Sequence, residues 1–566
     1  MKIVIIGGVA GGASAAARAR RLDETAEIIV FERGHHPSFA NCGLPYYVGG
    51  KIESRKKLLV APIEMLRQRH RLDVRVRSEV TKIDRDRSEV HVKNLETGDQ
   101  STETYDKLII ATGASPFRPP IPGIDRSRVM ELRDLEDADR MHGIATSGAK
   151  RAVIVGAGFI GIEVAENLVR RGIHVTVVEL ADQILPPWDR EMVGPIETHM
   201  ADQGVQVRLN DSVTGFHDNN ESLRIDLQSG DTLEADFAVV SIGVRPESKL
   251  AVDAGLECGP RGGVVVNDHM QTSDPNIYAV GDVTQVSCFV SKAPVQIPLA
   301  GPANRQGRIA ADHIFGRAST YRGTQGTAVV GVFGMTAAMT GLSEKLLQRS
   351  QSPYEKIYIH PSDHAGYYPG ARGMTLKLIF DPSSGVILGG QCVGTNGVDK
   401  RIDVLAMAIQ AGLTVYDLEE VELCYAPQYG HAKDPINMAG FVASGVLRGD
   451  QPIVHVDQFP ADVAHDSFVL DVRSESEYSD GHIHGATNIP LESLRERLSE
   501  LPTDRAIAVY CKVGQRGYVA TRILLQNEFN VANVSGGYTS WARSWGNSQH
   551  DSAATPSPGA EIGLEI

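Results

Sequence analysis

The apolar positions of this chain fall into short unbroken runs, each followed by a glycine-rich turn and then a helical stretch. Ile3–Ile6 is the first run; Gly7-Gly8-Val9-Ala10-Gly11-Gly12 follows, then Ala13–Leu22, rich in Ala and Arg, then a second run at Glu27–Phe31. Unbroken apolar runs suit a parallel sheet covered on both faces, so Met1–Arg33 is predicted as a βαβ unit. Its second strand ends at Glu32, twenty residues past Gly12. The same order recurs about 150 residues later: Ala152–Val155, then Gly156-Ala157-Gly158-Phe159-Ile160-Gly161, helical Ile162–Arg171, and His174–Val178 closing on Glu179, eighteen residues past Gly161. A glycine turn that opens a helix lets backbone amides approach a pyrophosphate, and the following acid accepts from a ribose hydroxyl. Two dinucleotide sites are therefore expected. The second fingerprint is complete; in the first, Val9 stands where the middle glycine belongs. A carboxylate at Glu179 repels a 2′-phosphate, which favours NADH, with NADPH open if an arginine lies close.

Composition narrows the field. At 566 residues and 42% hydrophobic content the chain is long enough for three or four domains with real cores. A net charge of −14 argues against nucleic acid as partner. No apolar run reaches the length of a membrane helix, and the chain opens directly on a strand pattern, so a cytoplasmic protein away from the membrane is expected. Six cysteines are too sparse for a disulfide framework. The tail at 547–566, rich in Ser, Ala, Pro and Gly, is expected to be disordered.

Two further segments, Tyr105–Gly113 (YDKLIIATG) and Thr272–Asp282 (TSDPNIYAVGD), complete a pattern over about residues 1–447 that resembles the pyridine nucleotide-disulfide oxidoreductases. The resemblance implies an α/β fold with two Rossmann-like domains: an FAD-binding domain in two parts, 1–118 and 247–324, and an NADH-binding domain inserted at 119–246. An α+β dimerisation domain at 325–447 and a homodimer follow from the same likeness. It places FAD on Gly7, Val9, Ala10, Gly12, Glu32, Arg33, Ala111, Thr112, Gly113 and Asp282, and NADH on Gly156, Gly158, Ile160, Gly161, Glu179 and Gly243.

Disulfide reductases of this superfamily often carry a cysteine pair against the flavin. Here Ser38-Phe39-Ala40-Asn41-Cys42-Gly43-Leu44-Pro45-Tyr46 holds a single cysteine. The segment resembles the single-cysteine branch, in which the thiol opens a helix whose dipole can lower its pKa. One redox cysteine stores its oxidising equivalent as a sulfenic acid or as a mixed disulfide with a small thiol. Ser14, Arg18 and Arg21 share one helix face by spacing. The resemblance implies that they, with Ser38, Asn41 and Lys433, hold coenzyme A. It also implies that Tyr367 and Tyr425 reach the cysteine site of the other subunit.

After a predicted linker at 448–461, residues 462–546 resemble a rhodanese domain through Asp471-Val472-Arg473, Glu477-Tyr478, Gly481-His482-Ile483-His484-Gly485-Ala486-Thr487-Asn488-Ile489-Pro490 and Cys511-Lys512-Val513-Gly514-Gln515-Arg516. A strand-to-helix loop of this kind aims its amides inward as an anion nest. Arg516 adds the charge to hold a persulfide on Cys511. His482 and His484 lack the further ligands a metal site needs, and none is expected. The expected activity is NADH-driven, FAD-dependent reduction of sulfane sulfur in coenzyme A persulfide, polysulfide or related persulfides, with Cys511 delivering sulfur to Cys42. Coenzyme A-disulfide reduction proper, an NADH oxidase or peroxidase cycling Cys42 through sulfenic acid, and a non-enzymatic sulfur or redox sensor are the other readings the sequence leaves open.

Overall fold

The computed structural model describes residues 1–458 and 467–545; the predicted tail at 547–566 and the end of the predicted linker lie outside the described residues. The chain divides into two compact units, one of Met1–Leu185 with Met200–Gly326, the other of Pro186–His199 with the chain from Thr327 onward.

In the first unit, Lys2–Ile6 is the central strand of a five-stranded sheet ordered Ile277–Ala279, Lys107–Ile110, Lys2–Ile6, Glu27–Phe31, Asp73–Arg75, with every pairing parallel. Alternate residues of the central strand serve opposite faces. Ile3 and Ile5 pack with Ala15, Ala16 and Ala19 of helix Ala10–Leu22, while Val4 and Ile6 pack with Val80, Val90 and Val92 of an antiparallel layer. A second parallel sheet, ordered Gln206–Arg208, His174–Val178, Arg151–Val155, Phe237–Val240, Val129–Met130, falls in the chain between Lys107–Ile110 and Ile277–Ala279 of the first. The two chain crossings pair as strands Ala114–Pro116 and Val244–Pro246.

The second unit holds a five-stranded antiparallel sheet ordered Ala328–Val332, Met335–Gly341, Ile387–Gly394, Met374–Phe380, Glu355–Ile359. Beyond it a parallel sheet runs Ile453–Val454, Val531–Val534, Ile507–Tyr510, Phe468–Asp471, Thr487–Asn488. Two features depart from the sequence reading. Ile453–Val454, inside the predicted linker, pairs with Asn533 and Val534 and so belongs to the last sheet. Pro186–His199, inside the stretch expected to form the NADH-binding domain, packs with the second unit: Trp188 is fully buried, and Asp189 accepts from Lys377 Nζ at 2.8 Å and Gln391 Nε2 at 2.6 Å. Among the described residues no helix is long and apolar enough to cross a membrane.

Candidate active site

The two glycine turns are built by one device. At Gly7 (φ +100°) a side chain would collide with the Ala111 carbonyl, and at Gly12 with the carbonyl of Gly7, so helix Ala10–Leu22 can lie against the sheet only through glycine. Gly156 and Gly161 repeat this arrangement, whereas nothing lies within 4 Å of the place a Gly158 side chain would occupy. That open space is where a pyrophosphate would approach the backbone. The acids match as well. Glu32 accepts from the amides of Gly8 at 2.8 Å and Gly34 at 2.7 Å; Glu179 accepts from those of Ala157 at 2.7 Å and Ala181 at 2.9 Å. Each carboxylate is thus fixed at its strand end, facing the turn. Ile160 is exposed at the second turn, and Gly243 (φ +107°) follows the Phe237–Val240 strand of the same sheet.

A cleft of about 1380 Å³ opens at the first turn. Gly7, Val9, Ala10, Glu32 and Arg33 line one side; Ala111, Thr112, Gly113 and Asp282 line another. Gly12 sits behind the wall, in the packing against Gly7. The same cleft continues to Cys42, Ser14, Arg21, Ser38 and Asn41. Arg18 is held elsewhere, its guanidinium against Asp312 at 2.6–2.7 Å with both side chains largely buried. The spacing that put Arg18 on one face with Ser14 and Arg21 therefore does not bring it to the cleft, because a carboxylate on helix Ala300–Ile314 claims it.

Cys42 lies in the single turn Asn41–Gly43 that leads into the five-residue helix Leu44–Val48, and its side chain is exposed at the cleft. The expectation of a lowered thiol pKa is corrected here. Desolvation by the surrounding protein, and after it the charges of Glu163 and Asp282, push the Cys42 thiol up. One helical turn offers little dipole to oppose desolvation and two carboxylates. Burial raises Asp282 itself to about 6. Glu163, which sequence reasoning did not single out, accepts from Tyr46 Oη at 3.0 Å, and burial raises its carboxyl. Further bonds fasten the segment: Tyr47 and Arg55 both reach Asp139, and Arg171 donates to the Val48 carbonyl.

In the second unit, Tyr367 and Tyr425 meet hydroxyl to hydroxyl at 2.7 Å and both are exposed, as is Lys433. The hydrogen bond with Tyr367 raises the Tyr425 phenol. An Ala365 amide to Gly430 carbonyl bond ties the two tyrosine-bearing segments together. Cys511 ends the strand Ile507–Tyr510 and is buried, with the Gly514 amide 3.1 Å from its sulfur. The Gly536-Gly537 corner underpins the loop: a side chain at Gly537 would strike the Cys511 carbonyl, and the amides of Tyr538 and Thr539 donate to the carbonyls of Cys511 and Lys512. Arg516 is engaged by Glu477 through two parallel bonds of 2.7 and 2.8 Å. His482 stacks on Tyr478 with ring centroids 3.8 Å apart, and His484 is exposed.

The sequence matches three family descriptions: "Pyridine nucleotide-disulphide oxidoreductase" over residues 1–307, the "dimerisation domain" of the same family over 327–433, and "Rhodanese-like domain" over 456–544. It is 37% identical to coenzyme A disulfide reductase of Staphylococcus aureus over 444 residues, 78% of this chain and 99% of that one. Among solved structures it is similar to reduced CoADR-RHD of Bacillus anthracis (47% identity, TM-score 0.94, covering 96% of this chain and 98% of that one). It is also similar to the NAD-dependent persulfide reductase of A. fulgidus (38% identity, TM-score 0.89, covering 96% of this chain and 100% of that one).

Proposed function

The chain belongs to the pyridine nucleotide-disulphide oxidoreductase family, and from that premise we propose that it reduces sulfane sulfur at the expense of NADH, with Cys42 as the redox thiol and Cys511 as the sulfur acceptor. The observation that carries the proposal is the single cleft that runs from the first dinucleotide turn past Cys42 to Ser14, Arg21, Ser38 and Asn41. A thiol placed between a dinucleotide cradle and a basic, hydroxylated recess suits a carrier thiol with phosphates, such as coenzyme A. FAD, which the Gly7 turn, Glu32 and Asp282 would hold, supplies the two-electron relay between NADH and the cysteine.

The residues divide the work. Cys511 thiolate takes the outer sulfur of a polysulfide or persulfide, becoming Cys511–S–SH beside the Gly514 amide. The thiol of coenzyme A receives that sulfur. Cys42 thiolate attacks the inner sulfur of the coenzyme A persulfide, expelling hydrosulfide and leaving a Cys42–coenzyme A disulfide. Two electrons from NADH then return both thiols. The net change converts the persulfide and NADH into coenzyme A, hydrosulfide and NAD⁺. In a homodimer, Tyr367 and Tyr425 would lend their joined hydroxyls to the departing thiolate of the opposite subunit. Arg33, Thr112 and Gly113, which line the cleft, would face FAD, and Gly158, Glu179 and Gly243 would face NADH; Lys433 would add a cation for the carrier's phosphates.

The test is intact mass of the protein as purified and after titration with coenzyme A persulfide without oxygen. Hydrosulfide release with NADH loss, abolished in Cys42→Ser, and a coenzyme A adduct on Cys42 are expected. NADH loss that depends on oxygen or peroxide with no hydrosulfide would replace the proposal with the sulfenic acid cycle.

A further inference from the structure

Cys511 is a buried thiol in a loop with two cations, Lys512 and Arg516, of very different standing. Lys512 is exposed to solvent, so its field is screened. Arg516 is half-buried and is the cation that counts at the sulfur. It reaches the Cys511 side chain, yet each of its terminal nitrogens also donates to Glu477, at 2.7 and 2.8 Å. Glu477 in turn is fixed by the helix that carries it: as the third residue of helix Glu475–Ser479 it completes a capping box with Ser474, accepting from the Ser474 amide at 3.2 Å and hydroxyl at 3.3 Å. The Arg516 guanidinium, the Ser474 bonds and the nearby Arg473 hold its carboxyl down at about 2, so it stays ionised throughout any working pH. Arg473 is spoken for, paired with buried Asp471. Neither Arg516 nor Arg473 is therefore free of a carboxylate partner.

We propose that Glu477 determines which sulfur donors Cys511 accepts, turning the loop away from dianionic thiosulfate and toward thiol persulfides. This rests on the reading of Cys511 as a sulfurtransferase residue. With a persulfide, Cys511 thiolate attacks the outer sulfur of R–S–SH, the S–S bond breaks, Cys511–S–SH forms and RS⁻ leaves. With thiosulfate the same attack leaves Cys511–S–S⁻ and sulfite. The sulfur-donating group itself brings two negative charges to the loop in the second case and at most one in the first, so a neutralised arginine penalises thiosulfate more.

The experiment compares kcat/KM for thiosulfate and for glutathione persulfide, with cyanide as common acceptor, in the full-length protein and in Glu477→Gln, Glu477→Asp and Ser474→Ala. Glutamine still satisfies the helix cap at this position, so Glu477→Gln removes the charge without the fold. Its thiosulfate-to-persulfide ratio should rise on the order of tenfold, and Glu477→Asp should return it toward the wild-type value. Ser474→Ala, which loses the cap bonds and keeps the charge, should leave the ratio in place. A ratio within threefold of wild type in Glu477→Gln overturns the inference, as does an equal rise in Ser474→Ala. If the wild-type protein turns over neither donor, the sulfurtransferase reading fails and the inference falls with it.

Discussion

Replacing Glu179 tests the assignment of the second dinucleotide turn. Its two oxygens are pinned by the Ala157 and Ala181 amides at 2.7 and 2.9 Å, so the carboxylate cannot swing away from an added phosphate. The residues that follow, Leu180, Ala181 and Asp182, supply no cation, and Leu180 is exposed. Two unit charges about 4 Å apart repel by roughly 4 kcal/mol at an effective dielectric of about 20 and by about 1 kcal/mol in water. A surface cleft lies between these limits, near 2 kcal/mol per unit charge, or about 30-fold. A 2′-phosphate carries close to two charges, so discrimination against NADPH of about 30- to 1000-fold is expected. Glu179→Gln should recover at least 30-fold of the NADPH kcat/KM. It should cost NADH about five- to tenfold, since a charged hydrogen bond to the ribose becomes a neutral one. Adding Leu180→Arg should carry the preference over to NADPH. Initial rates with each nucleotide and one sulfur acceptor give the ratio. Equal use of NADPH and NADH by the wild type, or a ratio shifted less than threefold in a folded, flavin-loaded Glu179→Gln, would refute the reasoning.

Glu163→Gln removes one of the two carboxylates that raise the Cys42 thiol. After solvent screening this is about 1 kcal/mol, so iodoacetamide should alkylate Cys42 about fivefold faster at pH 7, with the difference vanishing above the thiol pKa. Lys377, fully buried, is held by Asp189, Glu191 and Glu344 at 2.6–2.8 Å. Lys377→Met should destabilise the second unit by about 3–5 kcal/mol, read as a lower thermal unfolding midpoint. Glu344 is lowered from 4.5 to about 2 by Lys377 and Lys356, against its burial. Its stabilisation, about 3 kcal/mol, is complete above pH 4.5 and drains away as pH falls toward 2, which acid unfolding of wild type against Glu344→Gln will report. His360 bonds Ser540 at 2.8 Å and Thr375 at 2.9 Å. His360→Phe should loosen helix Gly537–Trp545 and speed hydrogen exchange at the Tyr538 and Thr539 amides beneath the Cys511 loop, while exchange in strand Lys2–Ile6 stays as it was.

What could be read from the sequence was what a short stretch determines by itself. The turns at Gly7–Gly12 and Gly156–Gly161 impose their geometry through backbone collisions with neighbours a few residues away or on the next strand. The Cys511 loop likewise closes on itself through Gly514. What could not be read depends on partners far along the chain. Tyr46 finds Glu163 across 117 positions, and Arg18 finds Asp312 across 294. A two-residue strand such as Ile453–Val454 has too little pattern to announce itself and exists through its pairing with Asn533 and Val534. Glu477 stood within a recognised motif, but its hold on Arg516 is a tertiary contact that no spacing reveals.

The two thiols have been given opposite surroundings, and the difference orders the chemistry. Cys511 is enclosed, with the Gly514 amide at its sulfur and the guanidinium beyond it balanced by Glu477, surroundings that on the proposed cycle suit a thiol holding a persulfide until an acceptor arrives. Cys42 opens on its cleft, where desolvation and then the charges of Glu163 and Asp282 raise its thiol. A raised thiol is less often a thiolate but a stronger nucleophile when it is one, and a poorer leaving group in a disulfide. In a mixed disulfide between Cys42 and a carrier thiol of ordinary pKa, the carrier is therefore the better leaving group, and cleavage by attack at the Cys42 sulfur releases it first. On the proposed cycle, the surroundings that slow the first attack would thus favour release of the carrier in the last one. Glu163→Gln should speed capture of the persulfide and narrow the preference for cleavage at the Cys42 sulfur, read in single-turnover experiments as a smaller share of carrier released first; an unchanged share would show that Glu163 only burdens Cys42 and gives the cycle no direction.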